Sequence, residues 1–446
     1  MKRFKIERSN SEIISNTGLA LVGAAISKHT NLSNDMDNIS LRHGTSHSDI
    51  IKSYLGLLST GKSDYEALNG FQDNSFFQTA LDLKNIPTVD TLRQRMDKRA
   101  EIYLPGVRQA AMDFLISVDA PITALPMGHV PLDADVTPFD NSGTKKEGVS
   151  YTYKGHDGYA PMAAYLGQEG YCIEFELREG KQHCQKGTPE LLKSALEKSA
   201  QITDKPILLR LDGGNDSIEN VDVVLEFNKN TSGLGADFII KWNPRTNKDP
   251  EEWLKIAEEK AKWKEPRPGK RVGIFDISIE RVWKKHVYTI RRVMRVIERT
   301  IDKNGQSLLI PEIEVEGWWT SLVNANSTII SLYADHGTSE QFHSEFKTDL
   351  DIERFPSGKF ETNHLVLVCS TLVYNILRYI GQTGLIGKGS GLRNKAKRRR
   401  IKTVMQELMY LASKFVATGR RIKIKLGRSC PVKDIFEKLY YVLAYG

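Results

Sequence analysis

The sequence predicts an α/β fold, because strand-like and helix-like patterns follow one another in a defined order. Three segments with strand character lie between residues 127 and 180, and Gly167 and Gly170 join the second to the third. An amphipathic helical pattern, TPELLKSALEKSAQI, comes next, and the apolar segment KPILLRLDGG then stops at Asp212 and two glycines. Three antiparallel strands, a helix and a buried parallel strand are the opening of an RNase H-like fold.

Two carboxylates occupy neighbouring positions in this predicted sheet. The segment HVPLDADVTPFD alternates apolar and polar residues, which is a strand signal, and places Asp133 and Asp135 on one side of the strand. Asp212 ends the fourth strand. The first and fourth strands of an RNase H-like sheet are adjacent, so we expect Asp135 and Asp212 to lie beside each other.

A third acidic residue belongs to the segment 333–347, YADHGTSEQFHSEFK. The spacing of Tyr333, His336, Glu340 and Lys347 fits one face of a helix. A helix that only covers a core would carry apolar residues there. An aromatic ring, an imidazole, a carboxylate and an ammonium suit the binding of a metal and a phosphate.

The chain of 446 residues is long enough for two to four domains. The 128 positions from Asp212 to Glu340 exceed what a minimal RNase H-like core needs, and their pattern is strand-rich. We therefore predict a helical region at 1–115 for DNA binding or dimerisation, the first part of the core at 120–247, a β-rich insertion domain at 248–322, the last part of the core at 323–380, and a basic DNA-binding region at 381–446.

The charge balance favours a polyanionic partner. The chain has 63 Lys and Arg against 55 Asp and Glu, a net charge of +8. Its four cysteines have no C-x-x-C spacing, so a reducing cytosol fits better than a disulfide scaffold or a zinc finger. A metal cluster of Cys172, His183 and Cys184 is conceivable, but ordinary strand and loop positions are the preferred interpretation.

No membrane segment is expected. The N-terminal sequence MKRFKIERSNSE is basic and lacks an apolar signal core. The weakly charged run at 365–377 is too short to cross a bilayer and predicts a buried helix.

The N-terminal region leaves two interpretations open. Two helices surround a short turn, and the second follows Thr88 as a possible N-cap and contains Arg93, Arg95, Lys98 and Arg99. This pair could read DNA. A plain helical bundle with a solvated charged face explains the pattern equally well.

The pattern of residues 333–347 resembles the Y-x-x-R-x-x-x-E-x-x-x-x-x-x-K signature of cut-and-paste DDE transposases of bacterial insertion sequences, with His336 in place of Arg. The phrases YKGHDGYAPMAAYLG and ELREGKQHCQKGTPELL are similar to the IS thirteen-eighty family, which is related to hairpin-forming and piggyBac-type transposases. The resemblance implies that Asp135, Asp212 and Glu340 are the catalytic residues. Asp133 is a weaker alternative for the first of them.

Three carboxylates on rigid elements suit two hard divalent cations, Mg²⁺ or Mn²⁺, per active site. One cation would activate the attacking oxygen and the other the leaving oxygen. Gly213 and Gly214, directly after Asp212, would let substrate approach the backbone closely.

The candidate DNA contacts come from the resemblance and from the cationic and aromatic side chains. They are Tyr333, His336, Lys347, Arg210, Arg178, His183, Trp318, Trp319, Arg398, Arg399 and Arg400. A turn-stabilising role is equally open for Arg178 and His183. Trp283, Trp318 and Trp319 could stack on a DNA base, but tryptophan is more often a core residue.

The predicted function is that of a transposase that binds terminal inverted repeats, cleaves the transposon ends and joins them to target DNA. The resemblance implies double-stranded DNA as partner, a homodimer that holds two ends, and a location in the bacterial cytoplasm with the nucleoid. Two alternatives stay open: an RNase H-like nuclease without strand transfer, and a catalytically inactive relative that binds repeat DNA.

Overall fold

The structure is a computed structural model that describes residues 3–231, 233–245, 249–387, 389, 392, 394–419 and 421–446. The N-terminal part consists of β1 (Glu12–Ile14), α1 (Leu19–His29), α2 (Leu32–Asp37), α3 (His47–Ser59), α4 (Ser75–Ala80) and α5 (Val89–Ser117). The side chain of Thr88 caps α5 by accepting a hydrogen bond from the Thr91 N–H at 3.2 Å, as predicted. The helices pack through apolar faces as a bundle, and the DNA-reading alternative stays a prediction.

The middle of the chain carries Asp135 and Asp212. Its elements are β2 (Val130–Val136), β3 (Phe139–Asp140), β4 (Ser150–Tyr151), β5 (Asp157–Tyr159), β6 (Met162–Leu166), β7 (Tyr171–Glu176), α6 (Thr188–Ile202), β8 (Ile207–Leu211), α7 (Ile218–Asn230) and β9 (Ala236–Lys241). In the main sheet the strands run in the order β7-β6-β2-β8-β9. β2 pairs antiparallel with β6 and parallel with β8, which confirms the predicted adjacency of the first and fourth strands.

The apolar composition of these strands follows from their burial. Every residue of β6 and β8 is buried, and α6, α7 and α11 (Phe360–Gly384) pack against strands of this sheet. The short strands β3, β4 and β5 form a separate small sheet in the order β3-β5-β4, beyond the end of β2. The C-terminal end of β2, which carries Asp135, therefore lies where the main sheet meets the small sheet.

The region predicted as an insertion domain is strand-rich, but it continues the main sheet. It contains α8 (Pro250–Lys260), β10 (Lys262–Arg267), β11 (Lys270–Trp283), β12 (His286–Ile301) and β13 (Ser307–Thr320). β13 pairs antiparallel with β9, which gives one nine-stranded sheet instead of a second one. The sequence pattern did not predict α8, and the proposed boundary at 247/248 lies outside the described residues.

The last part of the chain returns to the N-terminal part. It contains α9 (Asn326–Ala334), α10 (Ser339–Ser344), α11 (Phe360–Gly384), α12 (Ile401–Val404), β14 (Ser413–Thr418), β15 (Arg421–Leu426) and α13 (Lys433–Tyr445). β14 pairs with both β1 and β15, and α13 packs on α1. The two ends of the chain therefore fold together, although the sequence suggested separate regions.

α11 is the buried helix that the apolar run predicted. By length and composition alone it is the one helix among the described residues that could cross a membrane, with a mean hydropathy of 1.3 in its most apolar window. However, 94% of that window is buried inside the protein, where α11 packs against α5 and β7. Its composition is that of a core helix.

The segment 333–347 is not one continuous helical face, which corrects the prediction. α9 ends at Ala334, a 3₁₀ turn covers Asp335–Thr338, α10 follows, and a π turn covers Glu345–Asp349. The hydroxyl of Thr338 donates to the Asp335 carbonyl at 2.8 Å, and such local side-chain bonds compete with helical ones. As a result His336 is buried while Glu340 is exposed.

Candidate active site

Asp135 and Asp212 meet at the ends of the paired strands β2 and β8. The register places Ala134 opposite Leu211, so the next residue of each strand carries the carboxylate. Oδ1 of Asp135 accepts a hydrogen bond from the Val136 N–H at 2.7 Å, and 22% of the side chain is exposed. Both carboxylates therefore project at the same edge of the sheet.

The electrostatics of Asp212 reflect this closeness. Oδ1 of Asp212 accepts hydrogen bonds from the backbone N–H and the side-chain Nδ2 of Asn215, at 3.2 and 2.7 Å. Burial raises the pKa of Asp212, and the negative charge of Asp135 raises it further. Two carboxylates that repel each other in this way would be stabilised by a bound cation.

Glu340 lies in the first turn of α10, which packs against β2, and it is exposed. Tyr153 is influenced by all three acids. Burial raises the pKa of its hydroxyl, and the negative charges of Asp135, Asp212 and Glu340 raise it further. The three carboxylates thus share one neighbourhood. No three His, Cys, Asp or Glu side chains in the described part of the chain lie close enough to enclose an ion by themselves.

Asp133 has a different environment from Asp135, two residues further on. Its carboxylate receives two hydrogen bonds from Arg210, at 2.6 and 2.7 Å, and one contact from Nδ1 of His336 at 2.9 Å. Burial opposes ionisation, yet the charges of Arg210 and His336 hold the pKa of Asp133 below its usual range. Because Asp133 is buried and its oxygens are occupied, Asp135 is the better candidate for the first metal ligand.

A family model covers almost the whole chain. Residues 2–445 match the model described as Transposase DDE domain group 1. The chain belongs to the DDE transposase family. This family consists of enzymes that cleave and transfer DNA strands, so the protein is a transposase.

Comparisons with curated proteins and with solved structures do not narrow the function further. No curated protein matches the transposase. Among solved structures it is similar to a piggyBac transposase in a synaptic complex with hairpin DNA, with 12% identity and a TM-score of 0.42, over 89% of this chain and 80% of that chain. A TM-score of 0.42 is too low to transfer a property from that structure.

Several side chains that were predicted to contact DNA are buried in the interior of the transposase. Those that are buried are Arg178, Arg210, His336, Trp318, Trp319 and Arg399. Their positions do not fit direct contact with DNA in this structure. Arg210 and His336 bind Asp133, and the guanidinium of Arg210 also donates to the Leu332 carbonyl at 2.6 Å.

Arg178 stabilises the turn before α6. Its guanidinium donates to Glu176 at 2.7 Å, to the Cys184 carbonyl at 3.1 Å and to the Thr188 hydroxyl at 3.0 Å. This fits the turn-stabilising alternative. His183 in the same turn is exposed, so a DNA contact by this residue stays a prediction. Cys172 is buried in β7, where its backbone bonds to Asn375, as expected for a strand residue.

The tryptophans of β13 are core residues. Trp318 packs against Tyr333, with 6.1 Å between ring centroids, and Lys241 lies over its ring. The indole N–H of Trp319 donates to Asp216 at 3.0 Å. Trp283, at the end of β11, is only partly buried.

The three consecutive arginines before α12, Arg398, Arg399 and Arg400, are paired within the protein, in a cationic run that begins at Arg393. Arg400 forms an ion pair with Asp349 at 2.9 Å, and Nε of Arg399 donates to the Leu385 carbonyl at 2.8 Å. Arg398 donates to Gln341, next to Glu340, at 2.7 Å and remains partly exposed. Arg393, which belongs to the same run, lies outside the described residues.

Tyr333 and Lys347 are half-buried near the carboxylates, and their contact with a phosphate stays a prediction. Burial raises the pKa of Tyr333, and the charges of Asp212, Asp135 and Asp133 contribute. Nζ of Lys347 donates to the Pro138 carbonyl at 2.6 Å, directly beyond β2.

Two residues beside the carboxylates were not predicted from the sequence. Nε2 of His343 is buried, has no hydrogen-bond partner and lies 3.7 Å from Oδ2 of Asp135, while its Nδ1 contacts the Tyr165 hydroxyl at 3.0 Å. Its position three residues after Glu340, on the same face of a helix, was an available signal. Tyr153 had no such signal, because a hairpin brings it to the site.

Proposed function

We propose that this transposase binds the terminal inverted repeats of an insertion sequence, cleaves the element's ends and joins them to target DNA by cut-and-paste. Its partner is double-stranded DNA, and a homodimer would hold two ends. The sequence resemblance supports a bacterial member of the IS thirteen-eighty family that acts in the cytoplasm at the nucleoid. The strand order β7-β6-β2-β8-β9 supports an RNase H-like core.

The observation that carries the proposal is the pair formed by Asp135 and Asp212 at the ends of adjacent parallel strands. Their oxygens are hard donors, and their mutual repulsion raises the pKa of Asp212 after burial has done so. These features fit Mg²⁺ or Mn²⁺. Asp135 and Asp212 would hold two such ions, with Glu340 as the third ligand.

Bound divalent ions would supply charge stabilisation to the phosphoryl transfer and activate the attacking oxygen. The chain's own groups position the reactants. His343 is held by Tyr165, and its Nε2 lies 3.7 Å from Oδ2 of Asp135, where it could donate to that carboxylate. Lys347, Arg398 and His183 are candidate contacts for the DNA backbone.

Substitution tests the assignment of the site. Asp212→Ala and Glu340→Ala should abolish cleavage of a labelled duplex that carries the terminal repeat, while binding of that duplex in a gel-shift assay persists. Asp140→Ala is a matched control, because Asp140 is an acid of the small sheet bonded to the Ser142 N–H at 2.8 Å. Cleavage that persists in both site variants would refute the assignment.

A product assay separates the transposase from the two alternatives. A labelled repeat and a plasmid target are incubated with the wild-type protein and Mg²⁺. Joined product supports strand transfer, and nicked ends without joining support a nuclease. Binding without either product supports an inactive DNA-binding relative.

A further inference from the structure

The hairpin between β4 and β5 is a rigid element beside the candidate active site. The Thr152 N–H donates to the His156 carbonyl at 2.9 Å, and the Gly155 N–H donates to the Thr152 carbonyl at 3.0 Å. Gly155 has a φ of +86°, which a residue with a side chain rarely adopts. The tight turn therefore holds Tyr153 and Lys154 at fixed positions.

The hydroxyl of Tyr153 is anchored next to the first carboxylate. It donates to the Val136 carbonyl at 3.1 Å, and the Val136 N–H donates to Asp135 at 2.7 Å. Yet 67% of Tyr153 is exposed. With the hydroxyl held inward, the free surface is that of the ring.

Two ammonium groups accompany this ring. Nζ of Lys154 lies 5.6 Å from the centroid of the Tyr153 ring. Nζ of Lys347 donates to the Pro138 carbonyl at 2.6 Å, two residues after Val136, whose carbonyl accepts from the Tyr153 hydroxyl. An exposed ring and two cations beside three acids suit a nucleic-acid strand, whose bases stack and whose phosphates need positive charge.

We infer that the ring of Tyr153 stacks on the nucleotide next to the cleaved phosphate, with Lys154 on a neighbouring phosphate, and thereby positions the strand over Asp135, Asp212 and Glu340. This inference rests on the proposed function. Tyr153 is therefore a positioning residue. Trp318 and Trp319 are buried and cannot stack on a base, whereas the ring of Tyr153 is exposed and can.

The test compares Tyr153→Ala and Tyr153→Phe with the wild-type protein. Tyr151→Ala is the matched control, because Tyr151 belongs to the same hairpin and is also 67% exposed. The probe is a terminal-repeat duplex with 2-aminopurine beside the cleaved phosphate, assayed with Mg²⁺. Stacking on an aromatic ring quenches 2-aminopurine, so its fluorescence reports contact independently of turnover.

We expect Tyr153→Ala to lower kcat for cleavage roughly ten- to hundredfold and to abolish the quenching. Tyr153→Phe, which keeps the ring, should stay within about threefold of wild type, and so should Tyr151→Ala. Unchanged kcat and quenching in Tyr153→Ala would overturn the inference alone. A wild-type protein that does not cleave the repeat would overturn the proposed function as well, so the two failures are distinguishable.

Discussion

Asp133 and Asp135 lie two residues apart on the same side of β2, yet they belong to two oppositely built clusters. The buried ion cluster consists of Asp133, Arg210 and His336, and its carboxylate is paired within the protein. The carboxylate cluster consists of Asp135, Asp212 and Glu340, and its first two charges repel each other. Loss of one partner in the first cluster would leave a buried charge uncompensated, whereas under the proposed function the second cluster gives up stability to bind cations.

Removal of a carboxylate should therefore cost much more stability in the buried ion cluster than in the carboxylate cluster. Asp133→Ala leaves the buried guanidinium of Arg210 without its partner and should lower the free energy of unfolding by about 3–5 kcal/mol. Asp135→Ala removes a repulsion and should change it by less than about 1 kcal/mol. Urea denaturation followed by circular dichroism measures both. Equal losses in the two variants would contradict the comparison.

Added divalent metal should stabilise the protein through the carboxylate cluster. Mg²⁺ or Mn²⁺ should raise the Tm of the wild-type protein, because a cation relieves the repulsion between Asp135 and Asp212. At a hundredfold excess over Kd the gain would be about 2.7 kcal/mol. Thermal unfolding at constant ionic strength measures the shift. Asp135→Asn and Asp212→Asn should lose it, while Asp140→Asn should keep it, and a shift retained in the first two variants would place the ion elsewhere.

The buried ion cluster should also give the stability a pH dependence. Burial lowers the pKa of His336, but the hydrogen bond and charge of Asp133 outweigh it, so the pKa is raised above 6.5. The stabilisation is then complete below pH 6.5 and is lost as the pH rises through the folded-state pKa. It amounts to about 1.4 kcal/mol for each pH unit that separates the folded-state pKa from the unfolded-state pKa. Urea unfolding of wild type and His336→Asn between pH 5.5 and 9 measures the difference. Parallel profiles would show that His336 is not held protonated.

The difference between the clusters also explains what the sequence could and could not predict. The alternation in β2 and the apolar run of β8 predicted paired strands, and the pairing placed Asp135 beside Asp212. Local patterns could not show which carboxylate is occupied, because Arg210 is on β8 and His336 follows α9. The same limit applies to Arg178, whose charge suggested a phosphate and whose partners are Glu176, Cys184 and Thr188.

The periodicity of the sequence also failed to predict the structure where a local hydrogen bond or a long-range strand pairing determined it. Helical spacing joined Tyr333 to Glu340, but hydroxyl bonds in the turn at Asp335–Thr338 put them on different elements. The strands at 262–320 were recognisable, but the pairing of β13 with β9 depends on contacts across distant sequence. A prediction from spacing is therefore strongest within one element and weakest for the partner of that element.

The smallest expected effect concerns the two glycines after Asp212, which test how finely the carboxylate cluster is positioned. An added Cβ at Gly214 would lie 3.2 Å from Sγ of Cys184 and 3.3 Å from Oδ2 of Asp212, whereas at Gly213 its nearest neighbour would be 3.6 Å away. Gly214→Ala should displace the carboxylate by a few tenths of an ångström and lower cleavage about threefold, because catalysis is sensitive to such shifts. Gly213→Ala should leave cleavage near wild type, and initial rates on the repeat duplex measure both. If both variants cleave equally, the position of Asp212 is less restricted than its contacts imply. If Gly213→Ala is the slower variant, DNA approaches the backbone at Gly213 and the substrate uses the space around it.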